Sequence, residues 1–262
     1  MEQAIFISKV ENLKYSNSKY TRLYFGNEFC QRLIPRLEDI RLIADFISKH
    51  QMKFSFVTPY VTNDGIFTLR PLLEYVIKNF PEAEIVVNDW GVLRLLRREF
   101  NYPVLALGRL LTKQKRGPMN KNLKNRVPQE MLQHFQESNI DVPILSDFLV
   151  NHGIRRVELD NLLQGISRES HGLRASLYFP FAYVTTTRFC ITASSETGRK
   201  FLRNMPPCNK ECQKYIFSLR HRSMPTDLFL KGNTQFFENK HLPDNLNELN
   251  VDRIVYEPEI PL

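Results

Sequence analysis

The chain has 262 residues, 42% hydrophobic and 24% charged, an ordinary globular composition with enough length to bury a large core in one domain, 1–262. Its formal charge of +8 favours acidic partners, whether nucleic acid, an anionic metabolite or an acidic protein face, and chooses none of them. The first residues, Met1 to Lys9, lack the basic start and apolar run of a signal peptide, and no stretch approaches the roughly 18 apolar residues of a membrane span; a soluble, cytoplasmic protein is expected.

In chain order, Lys53-Phe-Ser-Phe-Val-Thr58, Ala83-Glu-Ile-Val-Val87, Pro103-Val-Leu-Ala-Leu107 and Arg155-Arg-Val-Glu-Leu159 are short apolar runs that read as buried strands. Between them, Leu72, Leu73, Val76, Ile77 and Phe80 fall at helical spacing, as do Val92, Leu93, Leu95, Leu96 and Phe100. A further helix is expected over Pro128 to Glu137, and Ile144 to Val150 suits a strand end or a short helix. Beyond these, Ser176 to Thr187 reads as an extended segment interrupted by Pro180, Lys210 to Leu219 as helical, and Arg253 to Tyr256 as a last strand.

Strand and helix alternating in this way is the rhythm of parallel βα units, and it predicts an α/β TIM-barrel-like fold, complete or incomplete, over an open doubly wound sheet. No glycine-rich phosphate loop follows any of the strands, so the open-sheet alternative lacks its usual nucleotide signature. Polar residues just past the strand ends of a barrel line its functional face, and Asn88, Asp89, Asp160 and Asn161 hold such positions. For Asn88 and Asp89, capping the helix that follows is an equal alternative to binding a ligand.

Four cysteines, Cys30, Cys190, Cys208 and Cys212, are few for a disulfide-stapled secreted protein. The last three form C-x17-C-x3-C, and the short gap lets two thiolates reach one centre from a single turn. Thiolate sulfur suits iron–sulfur clusters and zinc alike. Structural zinc uses two close pairs, whereas 159 positions separate Cys30 from Cys190, so the spacing favours a cluster anchored across the fold, with zinc as the alternative. The polar, turn-rich run Pro206-Pro-Cys-Asn-Lys-Glu-Cys212 is a poor place for core thiols.

Leu23-Tyr-Phe-Gly-Asn-Glu-Phe-Cys30, Val87-Asn-Asp-Trp-Gly91, the run from Gly108 to Pro118, Val157-Glu-Leu-Asp-Asn161 and the run from Phe179 to Cys190 together resemble the family historically called peptidase U-32, in particular its UbiV-like branch. The resemblance implies a TIM-barrel-like domain with a [4Fe–4S] cluster on Cys30, Cys190, Cys208 and Cys212. It also implies oxygen-independent hydroxylation with prephenate as oxygen source. The target would be a ubiquinone precursor, in a heterodimer with a UbiU-like partner, or a base in RNA. The chain lacks the extra downstream domain of the longer RNA-modifying members, which points to the shorter, partner-dependent kind. Peptidase chemistry is not expected, because no H-E-x-x-H occurs and no cysteine has a distinctive histidine neighbour.

From Gly108 to Arg126 the chain carries Arg109, Lys113, Lys115, Arg116, Lys121, Lys124 and Arg126 with no acidic residue. Such a run is either a solvated loop or an attractor of phosphate, of a dicarboxylate or of an acidic partner surface. Arg109, just past a strand, is the leading candidate there for gripping a carboxylate. Arg188, two positions before Cys190, suits an anion anchor or a surface salt bridge. His152 and His171 each precede glycine and read as turn residues, and Trp90 and the 19 phenylalanines require no ligand.

Overall fold

The computed structural model describes residues 1–169, 171–193, 195 and 208–262. Its centre is a closed barrel of eight parallel strands: β1 (Glu2–Ile7), β2 (Arg22–Gly26), β3 (Lys53–Val57), β4 (Glu84–Val87), β5 (Leu105–Leu107), β6 (Ile154–Asp160), β7 (Arg174–Phe179) and β12 (Val251–Tyr256), with β12 closing against β1. The barrel is complete, not interrupted. What is incomplete is its outer layer of helices.

Strand alternation divides the side chains between two cores. Ile5, Leu23, Phe25, Phe54, Phe56, Ile85, Val87, Val157 and Leu177 face outward and pack under the helices. Ala4, Phe6, Tyr24, Val57, Val86, Ala106, Tyr178 and Val255 face inward and fill the middle of the barrel. Below them the inward positions are polar. Arg253 donates to Glu84 and Glu2 at 2.6 Å each, Arg22 to Glu2 at 3.1 Å, and Arg156 to Asp252 at 2.6 Å, so a charged plug seals the N-terminal end of the strands.

The helices are α1 (Leu37–His50), α2 (Asn63–Asn79), α3 (Trp90–Arg98), α4 (Gln129–Gln136) and α5 (Pro143–Asn151). Helix α1 buries Ile40, Ile43, Ala44 and Ile47 at a spacing of three and four, and the Asp39 carboxylate accepts the Arg36 backbone N–H at 2.9 Å to cap its start. Ile144 to Val150 resolves as helix, because Pro143 at its first position is compatible with a helix start and Leu149 anchors it to the core.

Among the described residues no α-helix links β7 to β12. The chain instead builds a four-stranded antiparallel sheet from β8 (Phe181–Thr186), β9 (Phe217–Leu219), β10 (Leu228–Lys231) and β11 (Thr234–Glu238), in the order β8-β11-β10-β9. Pro180, with no N–H to offer a ladder, marks the break between β7 and β8. The helix expected from Lys210 to Leu219 is not present. That stretch holds one 3-10 turn, Glu211–Gln213, and then β9, entered through Tyr215 and Ile216, residue types that favour extended structure as Phe217 does. Because it leaves the C-terminal end of β7, the small sheet sits over the barrel mouth. Phe29, Leu110, Tyr183, Phe236, Ile260 and Leu262 are the apolar seam between the two.

Candidate functional site

The barrel mouth is organised by ion pairs and amide ties. Arg109 is fully buried, and its guanidinium donates to Glu28, to Asp160 Oδ1 at 3.0 Å, to Glu257 Oε1 at 2.7 Å and to the Phe181 carbonyl at 3.3 Å. The other Asp160 oxygen accepts from Arg116 Nε at 2.6 Å. Three carboxylates thus face two guanidiniums. Arg109 remains charged, and burial pushes Glu257 up to about 8, which makes it the carboxyl that keeps a proton at neutral pH.

Several residues nominated by their place after a strand are engaged inside the protein. Asn88 donates to the Thr58 carbonyl at 3.0 Å and accepts the Leu110 N–H at 3.1 Å, tying three loops together. Asp89 caps α3, accepting from Gly91 at 2.7 Å and Val92 at 3.3 Å, and it also accepts the Val61 N–H at 3.3 Å. Asn161 donates to the carbonyls of Asn239 and His241 at 3.4 and 3.0 Å. Every guanidinium nitrogen of Arg109 has a partner within the protein, so Arg109 is the hub of a buried network and not a free carboxylate grip.

The four cysteines come together beside this network. Strand β2 ends at Gly26 in the left-handed region, at φ +139°, where a Cβ would lie 2.1 Å from the Val57 carbonyl oxygen. Asn27 then turns the chain, its Oδ1 accepting the N–H groups of Phe29 and Cys30 at 3.0 and 2.9 Å. Cys190 follows the end of β8, and Cys212 sits in the 3-10 turn before β9. Cys30, Cys190, Cys208 and Cys212 border one cavity of about 120 Å³, with Phe29, Leu33, Tyr60, Arg188 and Leu262 also on its wall. Pro206 and Pro207, from the turn-rich run before Cys208, lie outside the described residues.

Asn233, buried in the turn between β10 and β11, holds the cavity's edges in place. Its amide nitrogen reaches the Phe29 carbonyl at 2.7 Å, the Tyr60 hydroxyl at 2.9 Å and the Thr187 carbonyl at 2.6 Å, and so joins the Cys30 loop to the Cys190 segment. Backbone N–H of Lys210 approaches Cys208 Sγ at 3.4 Å, and Gln213 Nε2 approaches Cys212 Sγ at 3.4 Å. Burial pushes the Cys30 thiol up to about 11, reinforced by the nearby thiols of Cys212, Cys190 and Cys208, and burial raises Cys212 as well. A thiolate is unfavourable in this setting unless a cation shares the cavity.

The chemistry of the donor set is that of a soft-metal site. Among the described residues the cavity wall carries four thiols and no imidazole or carboxylate. Also among the described residues, no three or more His, Cys, Asp or Glu side chains are gathered so as to hold a metal ion. A mononuclear zinc, with Zn–S of about 2.3 Å, requires sulfurs drawn tightly together. Four thiol donors around one cavity are chemically compatible with either zinc or an iron–sulfur cluster.

A second depression of about 500 Å³ adjoins the first. It runs between β8 and the loop after β5, is lined by Asn88, Asp89, Trp90, Lys113, Arg116 and Tyr183, and shares Tyr60 and Arg188 with the cysteine cavity. In the sequence Trp90 had no assigned role, and Lys113 was only one member of the basic run from Gly108 to Arg126. Only a closed barrel places the first residue of α3 opposite β8, so neither periodicity nor spacing signalled the pairing.

No family model matches the chain, and no curated protein matches it. Among solved structures it is similar to the U32 peptidase Mk0906, at 10% identity with 100% of this chain and 94% of that chain covered and a TM-score of 0.47. A glycoside hydrolase family 18 N-acetylglucosaminidase from Paenibacillus barengoltzii is similar at 8% identity, covering 97% and 94%, with a TM-score of 0.39. A class V chitinase from Nicotiana tobaccum is similar at 10% identity, covering 97% and 92%, with a TM-score of 0.30.

Proposed function

We propose that this chain carries a [4Fe–4S] cluster on Cys30, Cys190, Cys208 and Cys212 and serves as the iron–sulfur component of an oxygen-independent hydroxylase. In this reading it acts on a quinone precursor with prephenate as oxygen source, in a heterodimer with a UbiU-like partner, in the cytoplasm. One observation supports the reading above the others: four thiols from distant parts of the chain border one cavity at the C-terminal end of a closed barrel. The motif resemblance supplies the reaction class and the partner.

When bound, such a cluster supplies an electron relay or a Lewis-acidic iron. The chain's own residues do the rest. Asn27 and Asn233 fix the Cys30 loop against the Cys190 segment, and N–H donors at Lys210 and Gln213 face sulfur, where they stabilise negative charge on thiolate. Phe29, Leu33 and Leu262 supply the apolar part of the cavity wall. Tyr60 and Arg188 stand between this cavity and the larger depression, where a substrate would lie next to the cluster without touching the barrel core.

The peptidase reading is not favoured, since among the described residues no histidine or carboxylate stands on the cavity wall to serve as a base for a thiol. For the RNA-modifying alternative, Arg109 and Arg116 are withdrawn into the interior. Lys121, Lys124, Lys240 and His241 do share a wide depression of about 900 Å³ with Asn161. Copurifying RNA, bound with a steep salt dependence, would favour that alternative.

Replacing Cys208 or Cys212 by alanine tests the proposal. The expected result is loss of iron and of hydroxylation in the reconstituted complex; iron content and turnover both unchanged would contradict it. A scaffold role is separated by Arg188→Gln in an intact complex, which a pure scaffold tolerates without loss of turnover. Arg109, Asn88 and Asp160 cannot make that distinction, because their substitution disturbs the barrel mouth itself.

A further inference from the structure

The depression between β8 and the loop after β5 carries two cations that no carboxylate among the described residues pairs. Arg116 is held by Asp160 at 2.6 Å, and the Asp89 carboxylate is taken up by the N–H groups of Gly91, Val92 and Val61. Lys113 and Arg188 remain, and among the described residues neither makes an ion pair; Arg188 reaches only the Val61 carbonyl at 3.4 Å and lies 5.7 Å from the centre of the Tyr60 ring. Lys113 adopts a left-handed backbone, φ +43°, an uncommon conformation for lysine.

The walls are aromatic. Trp90 is 44% exposed although it is large and apolar, and Phe148 holds its ring from behind in an edge-to-face contact with centroids 6.0 Å apart. Tyr60 closes the end that meets the cysteine cavity, and Tyr183 lies along the side, its hydroxyl donating to the Arg109 carbonyl at 3.2 Å. A volume of about 500 Å³ lies within the range of small-ligand sites. Unpaired positive charge, flat ring faces and this size select a small ring that bears a carboxylate.

We infer that this groove is a binding site for a small ring-bearing carboxylate, with Lys113 and Arg188 holding the carboxylate and Trp90 and Tyr60 flanking the ring. That the ligand is the hydroxylase's substrate rests on the iron–sulfur reading; that it binds does not. Trp90 is the only tryptophan in the chain, so its fluorescence reports the groove and nothing else.

The test is a titration of the full, anaerobically purified chain with benzoate, benzamide and inorganic phosphate, followed by Trp90 fluorescence and confirmed by calorimetry. Saturable binding of benzoate is expected, with benzamide and phosphate each weaker by about tenfold or more. Lys113→Asn keeps a residue that tolerates the left-handed backbone while losing the charge, and Arg188→Gln loses the other; each should weaken benzoate by about tenfold, and Lys113→Arg should restore it. Equal binding of benzamide, equal binding of phosphate, no binding of benzoate, or unchanged binding in both charge-removing variants would overturn the inference. A colourless protein that binds benzoate would sink the cluster and leave the groove standing, and a brown one that does not bind it would do the reverse.

Discussion

Arg109 Nη2 donates to Glu257 Oε1 at 2.7 Å with both side chains fully buried. This contact is part of a network in which two guanidiniums balance three carboxylates only if one of them is protonated, and Glu257, pushed up to about 8, is that group. Arg109→Met therefore leaves the Glu28 carboxylate without its cationic partner and takes one donor each from Asp160 and Glu257, and should lower stability by about 3–5 kcal/mol. Glu257→Gln mimics the protonated acid and should change stability at pH 7 by about 1 kcal/mol or less. Urea unfolding of both variants checks this; equal damage from the two would show that Glu257 is ionised.

Glu158 lies inside the barrel, accepting from Tyr24 and Ser176 at 3.2 Å each, and burial together with nearby Glu84 pushes it up to about 8. Its folded value is above the unfolded one of about 4.3, so the folded state holds a proton that the unfolded state releases. The stabilisation is complete below about pH 4.3 and is lost as pH rises through about 8. Wild type should thus lose stability between roughly pH 5 and pH 8.5, and Glu158→Gln should flatten that slope, in part because Glu257 titrates over the same window. A slope identical in the variant would refute the assignment.

Asn88 and Gly108 are coupled by contact, since a Cβ on Gly108 would lie 2.2 Å from Asn88 Oδ1. Gly108→Ala should destabilise by about 2–4 kcal/mol in the wild-type background. In an Asn88→Ala background the obstruction is gone, so the double variant should be more stable than the sum of the two single losses by about 1–3 kcal/mol. Strict additivity in a thermal or urea double-mutant cycle would mean that the two do not meet.

Asn233→Ala removes the amide that joins Phe29, Tyr60 and Thr187. We expect a loss of about 1–3 kcal/mol and faster loss of bound iron from the anaerobic protein, because the Cys30 loop is no longer held against the Cys190 segment. Destabilisation with normal iron retention would confine Asn233 to a structural role.

The barrel was legible where strands carry alternating or continuous apolar runs, as at Lys53–Val57, Glu84–Val87 and Ile154–Asp160. It was obscured at β2, where Arg22 and Tyr24 point into the barrel and break the apolar pattern, whereas the last strand was read at Arg253 to Tyr256, within β12. The small sheet was hidden because β9 is short and exposed, and its register comes from β10 and not from its own sequence. Grouping the four cysteines was possible from spacing and resemblance. Arg109, Asn88 and Asp160 were correctly placed at the mouth, but position after a strand does not reveal whether the side chain faces substrate or the carboxylates of neighbouring loops. That depends on Glu28 and Glu257, which are brought there only by barrel closure.

The cluster is tested most directly by purifying the full chain without oxygen and measuring iron, acid-labile sulfide and visible absorption. The account predicts a brown protein with about four irons and about four sulfides per chain and a broad band near roughly 400 nm. A colourless protein that holds a single zinc, or that takes up neither iron nor sulfide on reconstitution, would contradict it.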